Sequence, residues 1–161
     1  MLWIARGLGA RALGLRAPFS WGRAFGLALG LLVAVLIVDQ ALEYLLHGAR
    51  EQGLEPSRWE PHRAVPFALN AAAIVVAAPI VEELTFRGLG FAVLIRLGPF
   101  VAVLGTAIAF AAAHGLVAGF PALAVFGAAI AILRLRTGSV YPGMIFHACF
   151  NGVALAAAFL F

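Results

Sequence analysis

Long apolar stretches separated by short turns constrain the fold of this chain more than any other feature. A helix needs about 20 apolar residues to cross a bilayer, and lipid does not tolerate exposed irregular backbone. Of the 161 residues, 64% are hydrophobic and only 11% are charged, unlike the composition of soluble domains. We therefore predict an all-α, polytopic transmembrane helical bundle of about five spans.

Turn signals divide the apolar sequence into these spans. Gly98-Pro99 and Gly138 mark two of the turns. The predicted spans are Ala24–Leu46, Val65–Leu97, Phe100–Gly115, Phe120–Leu135 and Val140–Phe161. The second exceeds a perpendicular crossing, so we expect it to tilt, to kink near Pro79 or to end at the interface. Residues 24–161 are thus predicted to form one transmembrane domain.

The basic residues lie at the ends of the apolar runs. They are 11 arginines against seven acids, and they form no continuous face, so we expect no nucleic-acid partner. An N-terminus inside the cell gives seven arginines on the cytoplasmic side and three on the other. These are Arg6, Arg11, Arg16, Arg23, Arg96, Arg134 and Arg136 against Arg50, Arg58 and Arg63. The positive-inside rule therefore predicts an integral membrane protein with a cytoplasmic N-terminus.

Residues 1–23 are predicted to form a basic N-terminal surface segment. The segment contains four arginines and no acid, mixed with apolar residues. This composition favours an amphipathic surface helix on anionic membrane lipid. An organellar transit peptide has a similar composition, but no small-residue cleavage site precedes a soluble domain here.

Two further patterns belong to the first span. Gly22, Gly26 and Gly30 follow each other at four-residue spacing, which allows close helix approach and predicts possible self-association. Asp39, Glu43 and His47 form a polar stripe near the end of the span. We interpret this stripe as an interfacial cap, with a substrate entrance or a proton path as the alternative.

Three charged residues interrupt the second span. Glu82, Glu83 and Arg87 each cost about 3 kcal/mol in the middle of a membrane helix, so a buried partner or a water-filled cavity must receive them. Glu83 and Arg87 are four residues apart and can pair, whereas Glu82 points about 100° away. The alternative is an ion-pair network that only locks helices together.

Helical counting predicts that other polar residues reach a similar depth. Glu83 precedes the turn at Gly98 by 15 residues and His114 follows it by 16. His147 lies nine residues after Gly138, and Asn151 follows one helical turn later. The six residues are therefore expected to share one intramembrane site.

Such a site has the groups needed for amide hydrolysis. A carboxylate near a histidine can deprotonate water, while a second histidine and an asparagine can stabilise an oxyanion. Alternatively, Glu82, His114 and His147 ligate a divalent metal such as Zn²⁺, whose bound water attacks. Serine and aspartyl protease chemistry is poorly supported, because none of the three serines lies in a GxSxG elbow and Asp39 has no partner aspartate.

The motifs also resemble those of a known family. EExxxRG begins at Glu82, FxxxH ends at His114, and HxxxN joins His147 to Asn151. Their order is similar to that of the CPBP family, the CAAX-protease and bacteriocin-processing (Abi) membrane enzymes, which include the type II CAAX prenyl endopeptidases. Those prenyl proteases have more spans before the EExxxR helix than this chain has.

The resemblance implies a role for each motif. Glu82 with His114 would activate water, His147 with Asn151 would stabilise the oxyanion, and Glu83 with Arg87 would orient the site. The implied substrate is a membrane-associated peptide, of the prenylated CAAX type or a leader peptide, in a bacterial plasma membrane. Two alternatives stay open: a non-catalytic bacteriocin-immunity or membrane partner protein, and a small transporter that uses Asp39, Glu43 and Glu82.

Overall fold

The chain folds into helices joined by short turns. The computed structural model describes residues 8–46 and 64–160, and within these ranges it contains helices and no strand. The helices are α1 (Trp21–Leu46), α2 (Ala64–Leu97), α3 (Pro99–Ala113), α4 (Phe120–Thr137) and α5 (Tyr141–Leu160). The prediction of an all-α membrane bundle is confirmed.

Three of these helices are long and apolar enough to cross a membrane. They are α1, α2 and α4, while the 15 residues of α3 form a shorter apolar helix. At 1.5 Å per residue α3 is about 22 Å long, which is less than the thickness of a hydrocarbon core. The third predicted span is therefore shorter than a perpendicular crossing.

The helix α2 contains two π-helical segments and ends in a short 3-10 segment, Ile95–Leu97. A π-helical segment, Ala73–Ala77, lies immediately before Pro79, and a second one, Leu84–Gly90, begins directly after Glu83. Proline has no N–H to donate and disturbs the helix around it, and π-helical turns often occur at functional sites. The helix is thus perturbed at Pro79, where the sequence predicts a kink, and the two glutamates lie between its π-helical segments.

Glycines form the two predicted turns at one end of the bundle. Gly98, with φ of 117°, separates α2 from Pro99 in the first turn of α3. Gly138 adopts the left-handed conformation with φ of 68°, and its N–H donates to the carbonyl of Arg134 as α4 ends. Both turn predictions are confirmed, and they bring α3 and α5 back alongside α2.

The hydrophobic core lies between α3, α4 and α5, with α1 packed against α4. The middle of α2 packs against α5 and thereby faces this core. The buried cluster consists of Val35, Phe110, Phe126, Ala129, Ile130, Leu133 and Phe146. The Phe110 ring of this cluster lies 4.6 Å from the Arg87 guanidinium, and the side chains of Glu83 and Arg87 are both fully buried.

The N-terminal segment differs from its predicted conformation. Residues 8–20 form turns, so the expectation of an amphipathic helix is wrong for this part of the chain. Its carbonyls receive donors from the bundle: Arg134 donates to the Ala12 oxygen at 2.9 Å, and the Val140 N–H donates to the Gly14 oxygen at 3.0 Å. These bonds replace the intrahelical bonds that a surface helix would make.

The same contacts involve Arg134, one of the arginines that the sequence analysis assigns to the cytoplasmic side. The residue is buried, with 8% of its surface exposed. Besides Ala12, its guanidinium contacts the carbonyl of Arg87 at 3.1 Å and lies over the Phe91 ring at 5.2 Å. Arg134 therefore joins α2, α4 and the N-terminal segment.

The glycines of α1 leave an open helix face. A Cβ atom added at Gly26 or Gly30 would meet nothing within 4 Å. Self-association through this face stays a prediction. Trp21 begins α1 and stacks on Phe25 with ring centroids 5.7 Å apart. Of the polar stripe, Asp39 and Glu43 are half-buried, whereas His47 lies outside the described residues, as do the rest of residues 47–63, residues 1–7 and Phe161.

Candidate active site

A buried ion pair forms the base of the site. The Arg87 guanidinium donates through Nη1 to Glu83 Oε1 at 2.9 Å, and neither side chain has any exposed surface. Its Nη2 donates to the Gly127 carbonyl of α4 at 2.8 Å, and its charge lies 4.6 Å from the centre of the Phe110 ring. The predicted i,i+4 pair is confirmed, and Arg87 also fixes α2 against α3 and α4.

His147 joins this pair from α5. Its Nδ1 lies 3.1 Å from Glu83 Oε1, and only 4% of its side chain is exposed. An ionised carboxylate can only accept hydrogen bonds, so Nδ1 carries the hydrogen when Glu83 is charged. This contact holds the imidazole ring and directs Nε2 towards Glu82.

Glu82 is the accessible acid of the cluster. Its side chain is 28% exposed, and its Oε2 lies 3.7 Å from His147 Nε2, which is too long for a good direct hydrogen bond. The Oε2 atom itself is buried without a hydrogen-bond partner in the described structure, as is Oε2 of Glu83. Burying a polar oxygen without a hydrogen-bond partner costs about 1–3 kcal/mol of stability. Such atoms are uncommon in folded proteins and are often part of a functional site.

His114 packs against the ring of Phe110, which also contacts His147. The Phe110 ring centre is 4.6 Å from the ring of His114 and 5.7 Å from the ring of His147. The Nδ1 atom of His114 bonds to the Phe110 carbonyl at 2.9 Å, so Nδ1 is the donor and Nε2 keeps its lone pair. His114 caps the end of α3 and is exposed, and in the described structure it makes no hydrogen bond to either glutamate.

Asn151 bonds to the backbone of α2 and not to the charged cluster. Its Nδ2 donates to the carbonyl of Ile74 at 3.0 Å, inside the first π-helical segment. The amide group has a second N–H, which this bond does not use. The structure thus brings together Glu82, Glu83, Arg87 and His147, whereas His114 and Asn151 lie at the edges of this group.

Comparison with protein families agrees with the motifs. Residues 64–153 match the family model described as type II CAAX prenyl endopeptidase Rce1-like, which is more than half of the chain. The chain belongs to this family. No curated protein and no solved structure matches it. The Rce1-like match covers all six predicted site residues and supports a membrane protease over the non-catalytic alternative.

Two glycines of the Rce1-like region that the sequence analysis did not single out shape the site. A Cβ atom at Gly143 would lie 3.1 Å from Glu83 Oε2 and 2.8 Å from Ile130. A Cβ atom at Gly127 would lie 3.2 Å from Arg87 Nη2. Both glycines therefore let a neighbouring helix approach the buried ion pair. Their position directly beside a charged residue is visible only in three dimensions.

The predicted metal ligands do not converge in this arrangement. Zinc needs three or more side-chain donors at about 2.0–2.3 Å from one point. Within residues 8–46 and 64–160, no three His, Cys, Asp or Glu side chains meet this requirement. Glu82 Oε2 lies 3.7 Å from His147 Nε2, whereas His114 packs on Phe110 and makes no hydrogen bond to either glutamate in the described structure. The metal set of Glu82, His114 and His147 stays a prediction.

Proposed function

We propose that this Rce1-like chain is an intramembrane endopeptidase in which Glu82 activates the attacking water. The observation that carries the proposal is that two adjacent carboxylates, Glu82 and Glu83, have different environments. Each keeps one oxygen without a hydrogen-bond partner, but Glu83 is fully buried and bound by Arg87 and His147, whereas the side chain of Glu82 is 28% exposed. A general base must reach both water and substrate, and among the two only Glu82 is accessible.

The proposed reaction is hydrolysis of a peptide bond. Water attacks the carbonyl carbon while its proton passes to the Glu82 carboxylate, and the carbonyl oxygen becomes an oxyanion. The tetrahedral intermediate then releases the amine, which takes the proton from Glu82 as the C–N bond breaks. A well-placed general base contributes about 10²–10⁴-fold to such a reaction.

Neighbouring donors are proposed to stabilise the oxyanion. The Nε2 atom of His147 faces the same space as Glu82, and Asn151 retains one amide N–H beyond its bond to Ile74. His114 is proposed to assist water activation through Nε2, because its Nδ1 is held by the Phe110 carbonyl. That role requires His114 to turn towards Glu82 when substrate binds, since no bond joins the two in the described structure.

The proposed substrate is a membrane-associated peptide, of the prenylated CAAX type or a leader peptide. Glu82 lies about 22 Å from the Leu97 end of α2, near the middle of the helix. The residues beside it form an exposed apolar face, with Val81 62% exposed and Ile80 41% exposed. In a bilayer this face meets lipid, so a lipid-anchored peptide can reach Glu82 laterally.

The proposed location is a bacterial plasma membrane with the N-terminus in the cytoplasm. The charge bias of the sequence supports this orientation, and Arg16, Arg23, Arg96 and Arg136 all lie near the helix ends on one side of the bundle. Membrane lipid is a necessary partner of such a chain. A second copy is proposed to pack on the glycine face of α1.

Cleavage of defined peptides by the purified full chain in nanodiscs tests the proposed function. The panel contains a farnesylated CAAX peptide and an unmodified membrane-tethered peptide, with products identified by mass spectrometry. Wild type is compared with Glu82→Gln, and Glu82→Asp serves as the matched control that keeps a carboxylate. We expect cleavage that Glu82→Gln abolishes, that Glu82→Asp partly restores and that a chelator leaves unchanged.

Other outcomes redirect or reject the proposal. Loss of cleavage with chelator, reversed by Zn²⁺, would replace the glutamate-activated water with a metal-bound one. Full activity of the Glu82→Gln variant would reject Glu82 as the base. Failure of wild type to cleave any peptide on the panel would count against the proposed substrate class.

A further inference from the structure

A cavity of about 490 Å³ lies apart from the candidate active site, between the beginning of α1 and the end of α4. We call its polar lining residues the rim and its apolar ones the floor. The rim includes Ser20, Arg23, Arg136 and Thr137, and the floor includes Leu27 and Ile132. Its volume is within the range of about 300–1,000 Å³ that is typical of ligand sites. The two arginines come from different helices, so the folded bundle, and not one stretch of sequence, brings them to the same rim.

The positive charge of this rim has no acidic counterpart among the described residues. Arg23 and Arg136 are both exposed, and neither takes part in an ion pair in residues 8–46 and 64–160. Asp39 and Glu43 follow Arg23 by 16 and 20 residues in α1, about 24–30 Å along the helix. The rim therefore attracts a ligand that brings its own negative charge.

Aromatic residues place this end of the bundle at the surface of the bilayer. Trp21 is 41% exposed and stacks on Phe25, which is 53% exposed. Phe19 is 75% exposed and lies under the guanidinium of Arg16 at 4.6 Å. Tryptophan is enriched at the interface between lipid and water, and arginines favour its cytoplasmic side. The cavity thus opens at the depth of lipid headgroups.

We propose that this cavity binds an anionic phospholipid, with its phosphate between Arg23 and Arg136 and one acyl chain over Leu27 and Ile132. Guanidinium groups form strong, directional hydrogen bonds to phosphate oxygens. The apolar residues Leu27 of α1 and Ile132 of α4 line the same cavity as the two arginines, so an acyl chain bound there would contact both helices. A zwitterionic headgroup also carries a cation, which two unneutralised arginines repel, so the site selects lipids of net negative charge.

Native mass spectrometry of the full chain in detergent measures this binding. The probes are dioleoyl phosphatidylglycerol and dioleoyl phosphatidylcholine, titrated separately, with inorganic phosphate as a competitor. Each arginine near an anionic lipid surface contributes about fivefold to affinity. We expect the Arg23→Gln/Arg136→Gln double variant to bind phosphatidylglycerol about 25-fold more weakly, and phosphatidylcholine about as before.

A matched control separates this site from general surface charge. Arg96→Gln removes an exposed arginine near the same end of the bundle but outside the cavity, so it is expected to leave the affinity within about twofold of wild type. Ile132→Trp fills the apolar floor without changing charge and is expected to weaken phosphatidylglycerol binding. Thermal unfolding of each variant establishes that it is folded.

Four results would overturn the proposal. Equal binding of the two lipids by wild type would remove the charge preference. An Arg96→Gln loss as large as that of the double variant would mean that surface charge alone attracts the lipid. Displacement of phosphatidylglycerol by an equal concentration of inorganic phosphate, or unchanged binding in folded Ile132→Trp, would mean an anion site without an acyl-chain groove.

Discussion

Replacing Arg87 by methionine is expected to destabilise the whole bundle. At the 2.9 Å separation of the Glu83–Arg87 pair, the attraction between two unit charges is about 6 kcal/mol at an effective dielectric constant of 20. Desolvation offsets part of this, but removal of one partner leaves Glu83 as a fully buried charge, which typically costs about 3–5 kcal/mol. The Gly127 carbonyl also loses its donor.

Equilibrium unfolding of the detergent-solubilised chain in sodium dodecyl sulfate, followed by circular dichroism, measures this loss. We expect Arg87→Met to lower the free energy of unfolding by about 3–5 kcal/mol, and the Glu83→Gln/Arg87→Met double variant to lose less than the sum of the single changes. Arg96→Met is the control, because its side chain is exposed, and is expected to cost less than about 0.5 kcal/mol. A cost below about 1 kcal/mol for Arg87→Met, or additive single changes, would refute the reasoning.

Three other substitutions test separate parts of the site. Gly143→Ala brings a methyl group within 3.1 Å of Glu83 Oε2 and is expected to lower the free energy of unfolding by about 1–3 kcal/mol in the same assay. The control Gly26→Ala has open space around it and is expected to be neutral or stabilising by up to about 1 kcal/mol. Equal effects of the two changes would contradict the packing at Glu83. Asn151→Ala removes the donor to the Ile74 carbonyl in the first π-helical segment. We expect the free energy of unfolding to fall by about 1 kcal/mol and amide hydrogens of that segment to exchange faster. Unchanged exchange would argue against the contact. Arg134→Met removes the donor that holds the N-terminal segment, so trypsin is expected to cleave within residues 8–20 faster than in wild type, and an unchanged rate would mean that other contacts hold the segment.

Residue spacing within one helix predicts local geometry well. The four-residue interval from Glu83 to Arg87 predicted their pairing, because side chains one helical turn apart share a face. The turns at Gly98 and Gly138 were predicted because only glycine adopts positive φ at low cost. Both features depend on short-range backbone geometry, which the sequence determines directly.

Residue spacing across two helices predicts the depth of a side chain in the membrane but not the rotation of each helix about its own axis. Counting from Gly98 put His114 level with Glu83, yet in the described structure His114 bonds to the Phe110 carbonyl and to neither glutamate. The rotation of α3 about its axis is set by packing of its aromatic and alanine residues in the core, and no count from a turn contains that information. Metal ligation by His114 and Glu82 depends on this rotation and stays a prediction.

Contacts between side chains and distant backbone carbonyls could not be predicted from the sequence either. Arg134 is charged and close to a helix end, which is typical of an aqueous arginine, but carbonyls from Ala12 and Arg87 receive its donors. Asn151 likewise finds its partner, Ile74, where α2 widens into a π-helical segment. Such contacts depend on which carbonyls the tertiary structure leaves available.

The most direct test of the account compares the Glu82→Gln and Glu83→Gln variants with wild type. For each protein, the single-turnover rate of peptide cleavage and the free energy of unfolding are measured. The account predicts that Glu82→Gln lowers the rate by about 10²–10⁴-fold and leaves stability within about 1 kcal/mol of wild type. Glu83→Gln is predicted to lose stability and rate together, because it breaks the buried pair with Arg87. A wild-type rate in folded Glu82→Gln would contradict the account.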